Sequence, residues 1–302
     1  MADFDKAEGR GPTPERLVSN LTRLLTVKPL EHDRFLGERL PGGEGRIFGG
    51  EVIAQALVAA TQTVGAERIA HSLHAYFMRG GSEEHDIIYK VERDFDGGSF
   101  SNRRVIAIQQ DRPILNLTAS FHKREEGLEH QDVMPDVPAP EDLPTEAEMR
   151  RVAAENLPEQ FRSQMLRPRA IEFRPIEARH WMNSEKRPPL THSWFRAVAP
   201  LADDPMLHRA VLTYVSDMTL LGTSALPHGL SWVTGELQGA SLDHAVWLHG
   251  DFRCDDWMLY VTDSPWAGRA RGFNRGRIYT RDGRLVANVA QEGLVRKVEP
   301  RA

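Results

Sequence analysis

The chain has 302 residues, 40% of them hydrophobic, with a net charge of −5, so it can bury a core and has an ordinary globular composition. The negative charge argues against a nucleic-acid-binding protein, which needs a basic surface. A single cysteine, the absence of a signal peptide in the N-terminal residues and the lack of any run of ~18 apolar residues predict a cytoplasmic protein that does not enter membranes.

The first half of the chain predicts two helices followed by an antiparallel meander. Apolar residues recur at helical spacing over residues 16–27 and 51–64, with a short strand predicted at 34–40 between them. From residue 68 to residue 124 apolar and polar residues alternate in four runs, which predicts four strands. Turn sequences such as Asp96-Gly97-Gly98 separate these runs.

A segment rich in proline and glutamate follows over residues 125–168, and we interpret it as a linker with a helix near 145–156. After the linker the order repeats, with strands, a helix over residues 207–222 and further strands. This order predicts two similar domains joined by a connecting segment.

An internal repeat is the strongest global feature of the sequence. At an offset of 172 the two halves align several polar residues, namely Asn102 with Asn274, Arg103 with Arg275, Arg112 with Arg284 and Asn116 with Asn288. Each half predicts one long helix packed against a bent antiparallel sheet. Edge-to-edge pairing of the two sheets would make one continuous sheet and remove two exposed edges.

Asp217 interrupts the apolar face of the predicted helix at 207–222. At roughly 100° per residue it falls beside Ala210 and Leu221, at the edge of the stripe that the helix buries. A carboxylate in that position is partly desolvated and needs hydrogen-bonding partners, since otherwise it would protonate. Two interpretations remain open, a structural aspartate held by salt bridges or N–H groups and a catalytic acid or base.

Two polar residues in the second half are candidate partners for Asp217. Ser241 opens an apolar strand, and Gln291 interrupts a strand whose neighbours are apolar. A carboxylate, a hydroxyl and a carboxamide that converge could hold and polarise one water molecule. At the offset of 172 the first half has Ala119 in place of Gln291, which predicts that the second half alone keeps the polar set.

Other hydrolase and metal signatures are weak. A G-x-S-x-G nucleophile motif and an HExxH motif are absent. Cys254 has no histidine at a spacing that favours a cysteine nucleophile. The pair His71 and His74, and likewise His244 and His249, would lie on opposite faces of a strand. We therefore interpret these histidines as packing or hydrogen-bonding residues.

The sequence resembles the type II acyl-CoA thioesterase family from about residue 15 to residue 298. The motifs that carry the resemblance are FGGEVIAQAL (48–57), HSLHAYFMRGG (71–81), GGSFSNRRVIAIQ (97–109), TASFHKREEGLEHQ (118–131), YVSDMTLL (214–221), SLDHAVWLH (241–249) and ARGFNRGRIYTRDGRLVANVAQEG (270–293). The resemblance implies an α+β double hotdog fold, in which two helix-wrapped antiparallel sheets join into one. It gives an N-terminal hotdog domain at 15–124, the linker at 125–168 and a C-terminal hotdog domain at 169–298 that carries the active site.

The resemblance also implies hydrolysis of fatty acyl-CoA to fatty acid and CoA without a metal, a cofactor or a covalent nucleophile. The family's catalytic residues fall on Asp217, Ser241 and Gln291. As our own hypothesis, a backbone N–H at a helix N-terminus near this cleft stabilises the oxyanion. Three positions depart from the pattern of many family members, namely Glu51 in place of glutamine, Gly80 in place of proline and Ser241 in place of threonine. We expect these to affect substrate preference and rate more than the class of reaction.

Further residues are candidates for substrate binding. We expect an apolar acyl tunnel between helix and sheet that includes Tyr214, Met218 and Trp247. Four arginines at alternating positions could meet the CoA phosphates, although a solvated strand face explains them equally well: Arg269, Arg271, Arg275 and Arg277. We also expect a homo-oligomer, a dimer or a tetramer.

Two alternative functions remain. A hotdog-fold enoyl-CoA hydratase needs a histidine five residues after the aspartate, but position 222 is glycine. A non-catalytic acyl-CoA-binding protein would have no reason to keep Asp217, Ser241 and Gln291 together.

Overall fold

The structure is a computed structural model that describes residues 11–39, 45–155, 162, 165–177, 185–230 and 236–298. The helices are α1 (Pro14–Leu25), α2 (Gly49–Thr61), α3 (Glu146–Ala154) and α4 (Pro205–Ser216). The strands of the first half are β1 (Val27–Glu31), β2 (Arg34–Gly37), β3 (Arg68–Phe77), β4 (Ile87–Asp96), β5 (Phe100–Gln109) and β6 (Arg112–Lys123). Those of the second half are β7 (Ile171–Pro175), β8 (Leu190–Ala197), β9 (Leu237–Ser241), β10 (Asp243–Leu248), β11 (Met258–Gly268), β12 (Arg271–Thr280) and β13 (Leu285–Lys297). No helix within the described ranges is long and apolar enough to cross a membrane.

The described strands form one antiparallel sheet in the order β1-β2-β4-β5-β6-β3-β10-β13-β12-β11-β8-β7, with β9 paired to β13. The two halves meet where β3 pairs with β10, from Tyr76 opposite Asp243 to Ser72 opposite Trp247. This seam confirms the expected edge-to-edge joining of two sheets, and the architecture is the double hotdog fold. Pairing at the seam satisfies backbone groups that two separate sheets would each leave at an edge.

Helices α2 and α4 lie on the inner face of the sheet and share one hydrophobic core with it. Helix α2 is buried almost all the way round, with Ile53 and Leu57 fully inaccessible, because it packs against both the sheet and α4. Helix α4 begins with Pro205, and the Asp204 carboxylate accepts a hydrogen bond from the Met206 N–H. A capping aspartate followed by proline at the first helical position is a favoured start for a helix. The core therefore lies between the helix pair and the curved sheet.

The segment after β6 packs on the outer face of the second half. Met134, Val137 and Leu143 contact a second apolar cluster that includes Trp194 and Trp257. The Trp194 indole N–H donates to the Pro138 carbonyl at 2.9 Å. Helix α3 follows within the predicted range 145–156, and Thr145 and Glu148 form a capping box at its start. The described part of this connection is thus packed against the C-terminal half.

The register of the strands corrects part of the repeat alignment. Strand β5 turns Arg103 inward, opposite Ala119, whereas β12 turns Asn274 inward, opposite Gln291. The counterpart of Asn274 is therefore Arg103 and not Asn102, which lies on the other face. A slip of one residue reverses the face of a strand, so the offset of 172 holds for β6 and β13 but is one residue out for β5 and β12.

Candidate active site

Asp217 is the residue that ends helix α4. The predicted helix at 207–222 instead stops at Ser216, and Asp217 takes the C-cap position. A 3₁₀ helix over Leu221–His228 follows. The helix ends there because Asp217 has tertiary partners, and an aspartate that bonds elsewhere gains little from continuing a helix. The carboxylate therefore projects from the end of the helix into the space between the two halves of the protein.

The Asp217 carboxylate is deeply buried, with 6% of its side chain exposed. The Gln291 Nε2 group donates a hydrogen bond to Asp217 Oδ1 at 2.6 Å, and the Gly50 backbone N–H donates a second. Burial raises the pKa of Asp217 to about 6, while the two hydrogen bonds act in the opposite direction. The structure thus brings together the predicted carboxylate and carboxamide, and at neutral pH the carboxylate is mostly ionised.

His244 fixes the orientation of the Gln291 amide. Its Nδ1 atom lies 3.0 Å from Gln291 Nε2, and its Nε2 atom lies 2.8 Å from Ser216 Oγ. Complete burial lowers the pKa of His244 to about 3, so the ring is neutral. A neutral ring that accepts at Nδ1 donates at Nε2, and the Ser216 hydroxyl in turn donates to the Thr213 carbonyl. The sequence indicated only a hydrogen-bonding histidine here, not its partner.

Both N–H bonds of the Gln291 amide are therefore used, one by Asp217 and one by His244. The Gln291 Oε1 atom is buried and accepts no hydrogen bond from any described group. The same is true of Oδ1 of Asn274, the residue opposite Gln291 on β12. Two carbonyl acceptors next to an ionised carboxylate can bind and orient a water molecule.

The N-terminus of α2, from the first half of the chain, faces the Asp217 carboxylate. A Cβ atom at Gly49 would lie 2.8 Å from Asp217 Oδ2, and one at Gly50 would lie 2.6 Å from the Tyr214 carbonyl oxygen. Only glycine allows this approach of the backbone to the carboxylate. The first N–H groups of a helix are free of intrahelical bonds and carry a partial positive charge. The helix terminus that the sequence anticipated without locating is therefore that of α2.

Ser241 is the last residue of β9 and pairs with Gly293 of β13. Gly293 and Gln291 are two residues apart on β13, so Ser241 and Gln291 lie on the same face of the sheet. Its side chain makes no hydrogen bond within the described ranges. Together with Gly49 it lines a pocket of about 290 Å³. Ser241 thus shares a pocket wall with Gly49, the glycine that adjoins Asp217.

Two of the three residues expected in the acyl tunnel lie on the inner face. Tyr214 and Met218 pack against the main core, and the Tyr214 ring meets Phe48 edge-on with centroids 5.1 Å apart. Trp247 differs from the expectation, since it alternates with the buried Val246 and makes a T-shaped contact with His74 on the outer face. Alternation along β10 explains this, because successive side chains point to opposite faces.

Three of the arginines also lie on the outer face, opposite Asp217, and each pairs with a carboxylate. Arg271 pairs with Glu292 at 3.2 Å, Arg275 with Asp263 at 2.9 Å and Arg277 with Asp132 at 3.7 Å. Arg269 lies in the turn between β11 and β12 with φ of 50°. This arrangement favours the solvated strand face that the sequence left open.

Comparison with known proteins identifies the family of this chain. A family profile described as acyl-CoA thioesterase matches residues 168–294, and one described as acyl-CoA thioesterase N-terminal domain matches residues 38–122. Acyl-CoA thioesterase 2 of Haemophilus influenzae is 37% identical over 93% of this chain and 98% of its own length. The chain belongs to the acyl-CoA thioesterase family.

Human acyl-coenzyme A thioesterase 8 is 38% identical over 95% of this chain and 92% of its own length. Among solved structures, the acyl-CoA thioesterase II TesB2 of Mycobacterium marinum superposes with a TM-score of 0.75 at 38% identity, covering 92% of this chain and 99% of that one. These similarities extend over both halves of the chain.

Glu51, a departure from the thioesterase pattern, is a second buried carboxyl group near the site. It lies in the first turn of α2 with 9% exposure. Burial, reinforced by the nearby Glu83, raises its pKa to about 8. A neutral carboxyl group has the shape and hydrogen-bonding capacity of a carboxamide, so the replacement of glutamine is milder than the sequence alone suggests. Asp217 remains the carboxylate that is ionised at neutral pH.

Cys254 is a poor nucleophile in this thioesterase. The thiol is completely buried and donates to the His208 carbonyl at 3.3 Å. Burial raises its pKa far above the ordinary value, which Asp255 reinforces. Within the described ranges, no group of three or more His, Cys, Asp or Glu residues could hold a metal ion.

The corresponding position in the first half is occupied by structural groups. The C-cap of α2 is Gln62, whose amide donates to the Val27 carbonyl, where α4 has Asp217. Next to Ala119, the buried Arg103 guanidinium donates to Thr63 and to Asp96. This half therefore has neither the carboxylate nor the carboxamide.

Proposed function

We propose that this thioesterase hydrolyses acyl-CoA to a carboxylic acid and free CoA with a water molecule activated by Asp217. The observation that carries the proposal is the buried carboxylate, held by Gln291 at 2.6 Å and facing the N-terminus of α2. A base with a pKa of about 6 is ionised at neutral pH and still basic enough to accept a proton from water. The reaction is that of a hydrolase.

In the proposed mechanism the Gln291 Oε1 acceptor and the Ser241 hydroxyl orient the water, and Asp217 removes its proton as the oxygen attacks the thioester carbonyl. The Gly49 N–H at the start of α2 stabilises the oxyanion that develops, while the Gly50 N–H keeps its hydrogen bond to Asp217. The C–S bond then breaks, and the proton held by Asp217 passes to the CoA thiolate. His244 acts through Gln291 and is a positioning residue.

For the substrate, we propose that Tyr214 and Met218 contact the acyl chain, which the inner-face position of both side chains supports. A role for Trp247, or for the four arginines, in binding the substrate stays a prediction from the sequence. Their position on the outer face, or in the turn beside it, means that a bound substrate would have to pass the edge of the sheet to reach them.

We propose that the domain at 15–124 is mainly a structural partner and that the domain at 169–298 carries the catalytic side chains, with 125–168 as the linker. The loss of the Asp217 and Gln291 equivalents from the first half supports this division, although α2 contributes its N-terminus to the site.

We further propose a cytoplasmic homo-oligomer, a dimer or a tetramer. The buried free thiol of Cys254 fits a reducing compartment, and large exposed apolar side chains such as Tyr76 are suited to a contact between copies. Cell fractionation and light scattering of the purified protein measure these two properties.

A thiol-release assay with a series of acyl-CoA esters from short to long chain tests the proposed function. We expect release of CoA and of the free acid in equal amounts, with a preference for one range of chain lengths. Tight binding of acyl-CoA without release of thiol would instead support the non-catalytic acyl-CoA-binding protein. Formation of a 3-hydroxyacyl-CoA from an enoyl-CoA without thiol release would support a hydratase.

A further inference from the structure

Two arginines line the pocket that adjoins Asp217. The pocket lies between the N-terminus of α2, the end of β3 and the end of β9, and Arg46 and Arg79 are its charged lining residues. Most of its remaining wall is apolar and includes Ile47, Val52, Phe77, Ile114, Leu115 and Leu242. A cleft with apolar walls and a few polar groups is the usual form of a small-molecule site.

Gly49 connects this pocket with the catalytic carboxylate. Gly49 belongs to the pocket wall, and a Cβ atom at that position would lie 2.8 Å both from Asp217 Oδ2 and from Phe77 Cζ. Ser241 lines the same pocket. A thioester carbonyl next to Asp217 could therefore have one of its two arms in this pocket.

The two guanidinium groups are exposed and available to an anion. The Arg46 side chain has no hydrogen bond or ion pair with any residue in the described ranges, and the Arg79 guanidinium donates only to the Pro113 carbonyl there, at 2.7 Å. Neither group has a carboxylate within 4.0 Å in that part of the chain. Arg271 and Arg275 on the outer face differ, since each already has a carboxylate partner.

We propose that Arg46 and Arg79 bind phosphate groups of the CoA moiety while the pantetheine arm follows the apolar wall to Asp217. The inference rests on the proposed function and names the residues that recognise the nucleotide end of the substrate. The planar guanidinium donates two parallel hydrogen bonds to phosphate oxygens, which suits a doubly charged, multivalent anion. Gly80 lies beside the Arg46 guanidinium, and a Cβ atom at that position would be 3.5 Å from Arg46 Nε. Because glycine has no side chain, this side of the guanidinium stays open to a phosphate group.

The test compares two thioesters of the same acid, the acyl-CoA and the S-acyl-pantetheine, which lacks all the phosphates. Arg46→Gln and Arg79→Gln should each lower kcat/KM for acyl-CoA about tenfold, mainly through KM, which is the scale of one charge-assisted hydrogen bond. The double variant should lose roughly a hundredfold, while kcat/KM for acyl-pantetheine stays within about twofold. Arg34→Gln on β2, also an exposed arginine, is the matched control and should change neither value.

Arg46 provides the sharpest series, because its side chain has no partner in the described part of the protein whose loss could disturb folding. We expect kcat/KM for acyl-CoA to fall in the order Arg, Lys, Gln, Glu, and the dependence of KM on ionic strength to weaken in the glutamine variant. An equal loss on both thioesters, or no loss on acyl-CoA, would overturn the assignment. If the wild-type protein has the same kcat/KM for acyl-pantetheine as for acyl-CoA, the assignment of the two arginines is also overturned. If it cleaves neither thioester, the proposed function itself is overturned.

Discussion

Asp217→Asn should greatly reduce turnover and at the same time make the stability of the protein less sensitive to pH. The activity should fall by on the order of 10²-fold or more, because the amide cannot accept a proton from water. Acyl-CoA binding should persist, since the shape of the side chain is kept. Both effects originate in the burial of one carboxylate beneath the N-terminus of α2.

The magnitude of the stability effect follows from the pKa of Asp217. Its folded-state pKa of about 6 lies about 2 above the ordinary value of 3.8. A pKa difference of one between the folded and unfolded states corresponds to ~1.4 kcal/mol in the free energy of unfolding. Because the folded-state pKa is raised, the associated stability is fully present at pH below about 4 and is lost as the pH rises through 6. Asparagine does not ionise, so the variant should gain roughly 2 to 3 kcal/mol relative to wild type between pH 4 and pH 8.

Urea unfolding at pH 4, 6 and 8 measures this difference. The asparagine amide also faces the Gln291 N–H, which costs stability by the same amount at every pH. Comparing how the two proteins change with pH removes this constant cost. Asp256→Asn, a change of an exposed aspartate on the surface, is the control and should leave both activity and the pH dependence unaltered. A folded Asp217→Asn protein with near-normal turnover would refute the catalytic assignment. A stability difference that does not vary with pH would refute the burial argument.

Substitutions at three further positions test other parts of the account. His244→Phe should lower kcat about 10- to 100-fold with little change in KM, because the ring orients Gln291 and does not touch the substrate. His244→Asn should lose less activity, because its side chain can accept a hydrogen bond from the same amide. An unchanged kcat in the phenylalanine variant would contradict this role. Ala119→Gln should add no activity, and titration with a non-hydrolysable acyl-CoA analogue should count one site per chain; two equivalent catalytic sites would contradict the single-site proposal. Cys254→Ser should keep most of the hydrolysis, and loss of activity in a folded variant would reopen the cysteine mechanism.

The sequence predicted the double hotdog fold well, because the repeat, the alternating strands and the family motifs all indicate it. It also singled out Asp217 and Gln291, since a polar residue within an apolar pattern needs a partner. That the two side chains meet was a hypothesis at that stage, and the hydrogen bond at 2.6 Å now shows the contact. The position of the helix end at Ser216 was missed because helical periodicity does not reveal tertiary hydrogen bonds.

Other parts of the site depend on contacts between the two halves of the chain. Gly49 and Gly50 directly precede the helix predicted at 51–64, and only packing of α2 against α4 brings them to Asp217. The faces of Trp247 and Arg275 were also beyond the sequence, because alternation separates two faces without saying which one is inner. Local patterns thus located the reactive groups, while the fold was needed to orient them.

The pH dependence of kcat/KM in the wild-type protein and in Gln291→Leu tests most directly whether Asp217, held by Gln291, is the base. In the wild type kcat/KM should rise with pH to a plateau with a midpoint of about 6, the pKa of the free enzyme's base. Loss of the 2.6 Å hydrogen bond should greatly reduce the plateau and raise the midpoint by about 1 to 2 pH units, the scale of a charge-assisted hydrogen bond. A wild-type midpoint in the range of an ordinary carboxyl group, or a midpoint that does not move in the variant, would contradict the proposed mechanism.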